Sequence, residues 1–243
     1  MSQSTLDPEE IRKFSALAAE WWNPKGPFGA LHRLNPVRLR YIRDIAMRHF
    51  KTSARRPLDG VSALDLGCGG GLVAAPLARM GAKLSAIDAS AEAIGAARSY
   101  AEQASLEIAY ECATAEALVE RGETFQFVTA LEIIEHVADV GVFLAAAGAL
   151  VAPGGVLVLS TINRTQKAHA LAIVAAERVL NWAPAGAHDY DKLVTPEEIR
   201  AGAADLVWDE PVGLSFNPFG NGWSLSRDIS MNYIIAGIRP ETA

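Results

Sequence analysis

Cysteine is nearly missing from this chain: Cys68 and Cys112 are the only two in 243 residues, and neither lies in a CxxC. Two cysteines make neither a disulfide scaffold nor a thiolate zinc site, and such scarcity points to a reducing compartment. A positive charge balance is missing as well. The formal net charge is −6, which argues against a nucleic-acid partner, because neutralising phosphates calls for a basic face. The polar, acidic start "MSQSTLDPEE" lacks the basic residues and apolar core of a secretory signal. Long uninterrupted apolar runs are lacking too. The greasiest stretch, "VFLAAAGALVAPGGVLVL", is cut by Pro153-Gly154-Gly155 and reads as a buried helix, a turn and a strand, not a membrane span. No repeat, low-complexity tract or interdomain linker breaks the chain. The expectation is a cytoplasmic protein with a single domain over residues 1–243.

What is present is alternation. "VSALDLG", "KLSAID", "LEIAYE", "FQFVTAL" and "GVLVLSTI" read as short apolar strands, separated by helical or connecting segments such as "GLVAAPLARM" and "SAEAIGAARSYAEQ". That order implies right-handed crossovers and a parallel sheet covered on both faces. The tail "LVWDEPVGLSF" and "SMNYIIAGIR" has no helix between its strands, so it predicts an antiparallel hairpin at the sheet edge. Upstream, Asp7 and Pro8 mark one helix start, and Asn35 and Pro36 repeat the signal. Trp21, Trp22, Phe28 and His32 fall between these helices in a Pro/Gly-rich loop, a candidate lid. After the fifth strand come "TQKAHALAIVAAERVLNWAP" and "TPEEIRAGAADL", the latter with a capping-box pattern at Thr195, Pro196 and Glu198.

The loop "LDLGCGGG", residues 64–71, ends the first strand and opens a helix. Its glycines allow a tight turn and a close approach to a ligand. Asp88, at the end of the second strand, is placed to accept hydrogen bonds from ribose hydroxyls. A dinucleotide fingerprint starting at Gly67 needs glycine at 72, where the chain has Leu72; starting at Gly69 it fits only in a degenerate form. Asp65 discriminates further. A buried acid there suits the α-amino group of a methionine moiety and would repel a pyrophosphate. "D-x-G-C-G-G-G" followed by "A-I-D" is the pattern of class I S-adenosylmethionine (SAM) methyltransferases. The expected fold is therefore α/β and Rossmann-like: a seven-stranded, mostly parallel sheet with an antiparallel last strand. Residues 1–55 supply N-terminal helices and lid, 60–162 the SAM-binding core, 163–203 inserted helices and 204–243 the antiparallel strands.

"ALEIIEHV", residues 130–137, places Glu132, Glu135 and His136 at i, i+3 and i+4, which in a helix is one face. Such a cluster can bind a metal, move a proton or complement a helix N-terminus. His136 as general base would have Glu132 or Glu135 orienting its ring. An imidazole in a metal set leaves room for Zn²⁺ or Mn²⁺ beside Mg²⁺. The residues alone leave base and metal open.

Together, "FSALAAEWWNPKGPFGALHRLNPVRLRYI", "LDLGCGGG", "LEIIEHV", "STINRT" and "HDYDKLVTPEE" resemble the O-methyltransferases of ubiquinone biosynthesis over nearly the whole chain. The resemblance implies SAM as cosubstrate and a polyprenylated catechol or hydroquinol as acceptor, namely 2-polyprenyl-6-hydroxyphenol and 3-demethylubiquinol. It implies SAM contacts at Arg38, Gly67, Asp88 and Leu131, to which chemistry adds Asp65 and Gly69. It also implies a divalent cation, Mg²⁺, on Glu132, Glu135 and His136, the same three residues serving catalysis by activating a phenol. A polyprenyl acceptor requires access to a bilayer, so the apolar segment 165–182 is expected to dock peripherally on the cytoplasmic membrane face, alongside other ubiquinone-biosynthesis proteins. His188 and His32 are candidates for the pocket wall. The competing readings are a methyltransferase for a soluble phenol or another quinone precursor, a nucleotide-binding oxidoreductase, and a non-catalytic SAM-binding partner of a larger complex.

Overall fold

The computed structural model describes residues 5–52, 55–169, 190–217 and 222–241. Helix α1, Pro8–Ala16, starts as its sequence dictates: the Asp7 carboxylate accepts from the backbone N–H groups of Glu9 and Glu10, with Pro8 in the first turn. Helix α2 runs Gly29–Phe50, beginning well before the Asn35-Pro36 pair that sequence marks as a start. Asn35 is not a cap. Its amide donates to the Leu72 carbonyl and its oxygen accepts from Arg38, so a polar residue that looks like a cap is occupied in tertiary contacts. His32, expected in the lid loop, consequently lies inside α2.

The rest of the chain alternates as expected: β1 (Ser62–Leu66), α3 (Ala74–Arg79), β2 (Lys83–Asp88), α4 (Ala91–Gln103), β3 (Ile108–Cys112), α5 (Ala115–Glu120), β4 (Phe125–Leu131), α6 (Val140–Ala149) and β5 (Val151–Ile162). Short α7 (Gln166–Ala168) and α8 (Pro196–Gly202) follow. In α8 the Thr195/Glu198 capping box forms in full. The chain then gives β6 (Val207–Trp208), β7 (Val212–Asn217), β8 (Gly222–Ser226) and β9 (Asn232–Ile238). The sheet order is β3-β2-β1-β4-β5-β9-β7-β8, with β6 also on β9. Strands β1 to β5 pair in parallel, and β6 to β9 are antiparallel. The sheet is thus nine-stranded, not seven-stranded, because the tail contributes two short strands beyond the expected pair. Most of the apolar segment 165–182, and His188, lie outside the described residues. Among the described residues no helix is long and apolar enough to cross a membrane.

The period-2 alternation of the strands sorts the core into two layers. Leu64, Leu66, Val128 and Ala130 pack on the face covered by α6 and α8, while Ala63, Phe127 and Leu131 pack on the α2 face. Asp65 and Thr129 share that second parity and are direct register neighbours on β1 and β4. An apolar layer is therefore interrupted by polar residues, Asp65 and Thr129 with Ser160 of β5 beyond them, next to the buried Arg38 of α2.

Candidate active site

The break in the apolar layer sits at the C-terminal ends of the central parallel strands, where open α/β sheets keep their ligand crevice. Asp65 is 2% exposed. Its Oδ1 accepts from the Thr129 hydroxyl at 2.7 Å, whereas Oδ2 is buried without a partner. Burial pushes the carboxyl up to about 7, against the pull of Thr129 and of Arg38. The backbone then turns through Gly67, Gly69 and Gly71, all at positive φ. At Gly67 a Cβ would lie 2.6 Å from the Ile133 side chain, so glycine is required sterically as well as conformationally.

Asp88, the expected ribose acceptor, is half-buried, and its two oxygens accept from Gly69 N at 2.8 Å and Ser90 N at 2.9 Å. The carboxylate thereby ties the glycine loop to the N-terminus of α4. Each oxygen keeps a second lone pair for a ligand. Asp88, Gly67 and Gly69 line a cavity of about 120 Å³ beneath α1. A neighbouring cavity of about 410 Å³, within the size range of small-ligand sites, is walled by Arg38, Asp65, Leu131, Phe28 and Leu31. Glu10, Phe14, Trp21, Gly67, Glu132 and His136 belong to both walls. All the predicted cofactor residues thus face this pair of cavities.

Arg38 is 2% exposed. It donates from Nη2 to Asn35, and Nη1 lies 3.7 Å from Glu132, but Nε is buried and unpartnered. Desolvation lowers its pKa while Glu132, Asp65 and Glu135 oppose that fall.

The Glu132-Glu135-His136 cluster is built differently from the expected helical face. Glu132 carries left-handed backbone, φ 54°. Residues Ile134–His136 form one 3₁₀ turn, Val137 is extended, and α6 begins only after its own cap, Asp139. The i, i+3, i+4 alignment therefore does not apply. Glu132 accepts from the Ser160 hydroxyl at 2.6 Å, and Glu135, 3% exposed, accepts from Thr161 at 3.0 Å. His136 Nδ1 meets Glu10 Oε2 at 2.9 Å, with Phe14 edge-on to its ring. The residue that orients His136 is neither Glu132 nor Glu135 but Glu10, from α1, and no local sequence signal links positions so far apart.

Electrostatics reflects this arrangement. Burial, then the neighbouring Glu132, pushes Glu135 up to about 7. Burial disfavours a charged His136, but the hydrogen bond to Glu10 and the surrounding carboxylates outweigh it and raise the pKa. The bond to His136, helped by Lys13 against desolvation, brings Glu10 down to about 2. The donor types suit a hard cation, and Glu135 Oε1 is buried without a partner. The arrangement does not. The three side chains face three separate partners, and among the described residues no group of three or more His, Cys, Asp or Glu is gathered so as to hold a metal ion.

Comparison with known proteins agrees with this crevice. A family model described as a methyltransferase domain matches residues 11–201. Among solved structures, magnesium protoporphyrin IX methyltransferase from Synechocystis with bound SAM superposes with a TM-score of 0.62 at 15% identity, covering 98% of this chain and 100% of that one. The plantazolicin methyltransferase in complex with a desmethyl-plantazolicin analogue and SAH also gives 0.62, at 16% identity, over 96% and 98% of the two chains. These likenesses show the fold. Curated relatives are nearer: the ubiquinone biosynthesis O-methyltransferase of Sinorhizobium medicae is 49% identical, with 98% of each chain covered. That of Azorhizobium caulinodans is 48% identical, over 97% of this chain and 95% of its own. At about half identity over nearly the whole of both chains, this chain belongs to the family of ubiquinone biosynthesis O-methyltransferases.

Proposed function

We propose that the protein transfers the methyl group of SAM to a phenolic oxygen of a polyprenylated catechol or hydroquinol in ubiquinone biosynthesis, as the names of its relatives imply. One observation carries the cofactor reading. Asp65 and Arg38 line one cavity, and each has a buried polar atom, Oδ2 and Nε, without a protein partner, complementary in kind to the ammonium and carboxylate of a methionine end. Asp88, Gly67 and Gly69 supply the nucleoside side, and Leu131 packs beside them.

Chemistry falls to the shared wall. Glu10 requires the hydrogen on His136 Nδ1, which puts the lone pair of the neutral ring on Nε2. That nitrogen, on a ring whose pKa its carboxylate neighbours raise, takes the phenol proton. The phenolate oxygen then forms a bond to the methyl carbon as the C–S bond breaks, and the sulfonium leaves as a neutral thioether. Glu132, on the wall of both cavities, adds negative charge there, which favours the sulfonium cation. A divalent cation held by Glu132, Glu135 and His136 Nε2 would acidify the phenol as a Lewis acid while Nδ1 keeps Glu10; the proton transfer to His136 does not depend on it. Peripheral membrane contact through segment 165–182 belongs to the same reading.

The test is methyl transfer from labelled SAM to a short-prenyl catechol and to a soluble catechol in parallel. Transfer favouring the prenylated acceptor supports the reading. Preference for the soluble phenol replaces the substrate class, and binding of nicotinamide dinucleotide in place of SAM refutes the function.

A further inference from the structure

Trp21 and Trp22 are adjacent, yet the fold treats their indole N–H groups differently. Trp22 stacks on Tyr100 and donates from Nε1 to the Gly70 carbonyl at 2.8 Å. Trp21, 8% exposed, stacks on Phe28 with ring centroids 3.8 Å apart, and its Nε1 is buried with no acceptor. The Trp21 ring is held in place. His32 donates to its carbonyl oxygen at 2.8 Å, and the glycine loop is shaped around it: a Cβ at Gly69 or Gly70 would lie 2.4 or 2.3 Å from the indole. An N–H fixed in a cavity wall without an acceptor costs about 1–3 kcal/mol if left so, and it marks a ligand site.

Trp21, Arg38 and Asp65 wall the same 410 Å³ cavity, and each carries one unpartnered polar atom: two N–H donors and one carboxylate acceptor. The smallest group that satisfies all three is the end of an α-amino acid, with carboxylate and ammonium on one carbon. We propose that Trp21 binds the cofactor directly, its Nε1–H donating to the methionine carboxylate of SAM beside Arg38, while Asp65 takes the ammonium. This rests on the reading of SAM as the cofactor. Trp21 then has two duties: it closes the glycine loop, and it distinguishes a carboxylated cofactor from one lacking that group.

The experiment is calorimetric binding of SAM and of decarboxylated SAM to the wild-type protein and to W21F, which keeps an aromatic ring against Phe28 but has no N–H. W21F should lose about tenfold or more in SAM affinity, as expected for a hydrogen bond to a charged group, with decarboxylated SAM unaffected. W21H, which restores a ring N–H, should recover part of the loss. Equal losses for both cofactors overturn the proposal and make Trp21 a packing residue. Unchanged SAM binding with a raised KM for the phenol also overturns it, assigning the N–H to the acceptor substrate. An arm that needs no variant is the Trp21 indole proton resonance of the wild type, which should move downfield with SAM and not with decarboxylated SAM; the same shift with both overturns the proposal. If the wild type binds neither cofactor, the reading of SAM itself fails, an outcome distinct from a wild type that binds both but shows no Trp21 dependence.

Discussion

Replacing Glu10 by glutamine tests the coupling between helix α1 and the catalytic turn. Helix α1 contains no buried residue, and besides half-buried Phe14, which packs on Phe28 and His136, polar contacts hold it down: Glu10 to His136, Asp7 to Lys192, and Ser15 to Ser90 and Glu92. Glu10 and His136 are 12% and 11% exposed at their side chains, sheltered enough for the pair to matter. The fall of the Glu10 carboxyl from 4.5 to about 2, at about 1.4 kcal/mol per pH unit, caps its contribution near ~3 kcal/mol. Part of that belongs to Lys13, and a hydrogen bond between charged groups contributes about 1.5–3 kcal/mol. E10Q should therefore speed hydrogen exchange in the α1 amides by about 10- to 100-fold at pH 6, while β1 and β4 keep their protection. The pH dependence follows from the two shifts. Glu10 is depressed, so its share is present above 4.5 and is lost as pH falls through about 2. His136 is raised, so its share is full below 6.5 and is lost as pH rises through its higher folded value. Wild-type α1 should accordingly exchange faster on the alkaline side, and E10Q should flatten that dependence. Unchanged α1 exchange in E10Q, or acceleration spread evenly over the sheet, would refute the reasoning.

Other expectations follow from the same geometry. Asp65 must ionise to receive an ammonium group, and burial pushes its carboxyl up to about 7, so SAM affinity should rise with pH and level off above about 7. T129V removes the hydroxyl at 2.7 Å and should shift that plateau to higher pH; a pH-independent dissociation constant would argue against Asp65 as the partner. G70A places a Cβ 2.3 Å from the Trp21 ring, an overpacking of about 1–3 kcal/mol that should lower Tm by several degrees, and an unchanged melting curve would contradict the close packing. Chelation followed by restoring Mg²⁺, Mn²⁺ or Zn²⁺ singly reads the cation directly: activity lost and regained with one ion assigns the turn to a metal, whereas indifference leaves His136 acting with Glu10.

The parallel half of the sheet was legible because each strand is a short apolar run closed by a turn. Asp65 and Asp88 stood out because a charged residue at the end of such a run has few structural reasons to be there. Local patterns misled where a side chain serves a distant partner. Asn35-Pro36 looks like a helix start, yet Asn35 spends its amide on Leu72 and α2 continues through it. The spacing of Glu132, Glu135 and His136 looks helical, but a left-handed residue and an extended Val137 give a single 3₁₀ turn. The role of Glu10 escapes a sequence reading, since nothing in the nine residues of α1 points to a histidine 126 positions away. Two-residue β6 merged with β7 in one apolar segment, and β8, Gly222–Ser226, carries too few apolar residues to stand out as a strand.

The backbone of Glu132 has a consequence for how this protein tolerates change. A non-glycine residue at φ 54° is held there at a cost of about 1–2 kcal/mol, a strain that glycine would relieve. The backbone itself therefore does not favour glutamate at this position, and the Ser160 hydroxyl and Arg38 work against that strain. In a library screened for solubility or heat resistance, position 132 should drift towards glycine or asparagine; screened for methyl transfer, it should not move. The divergence between the two screens would separate what the chain needs in order to stand from what it needs in order to work.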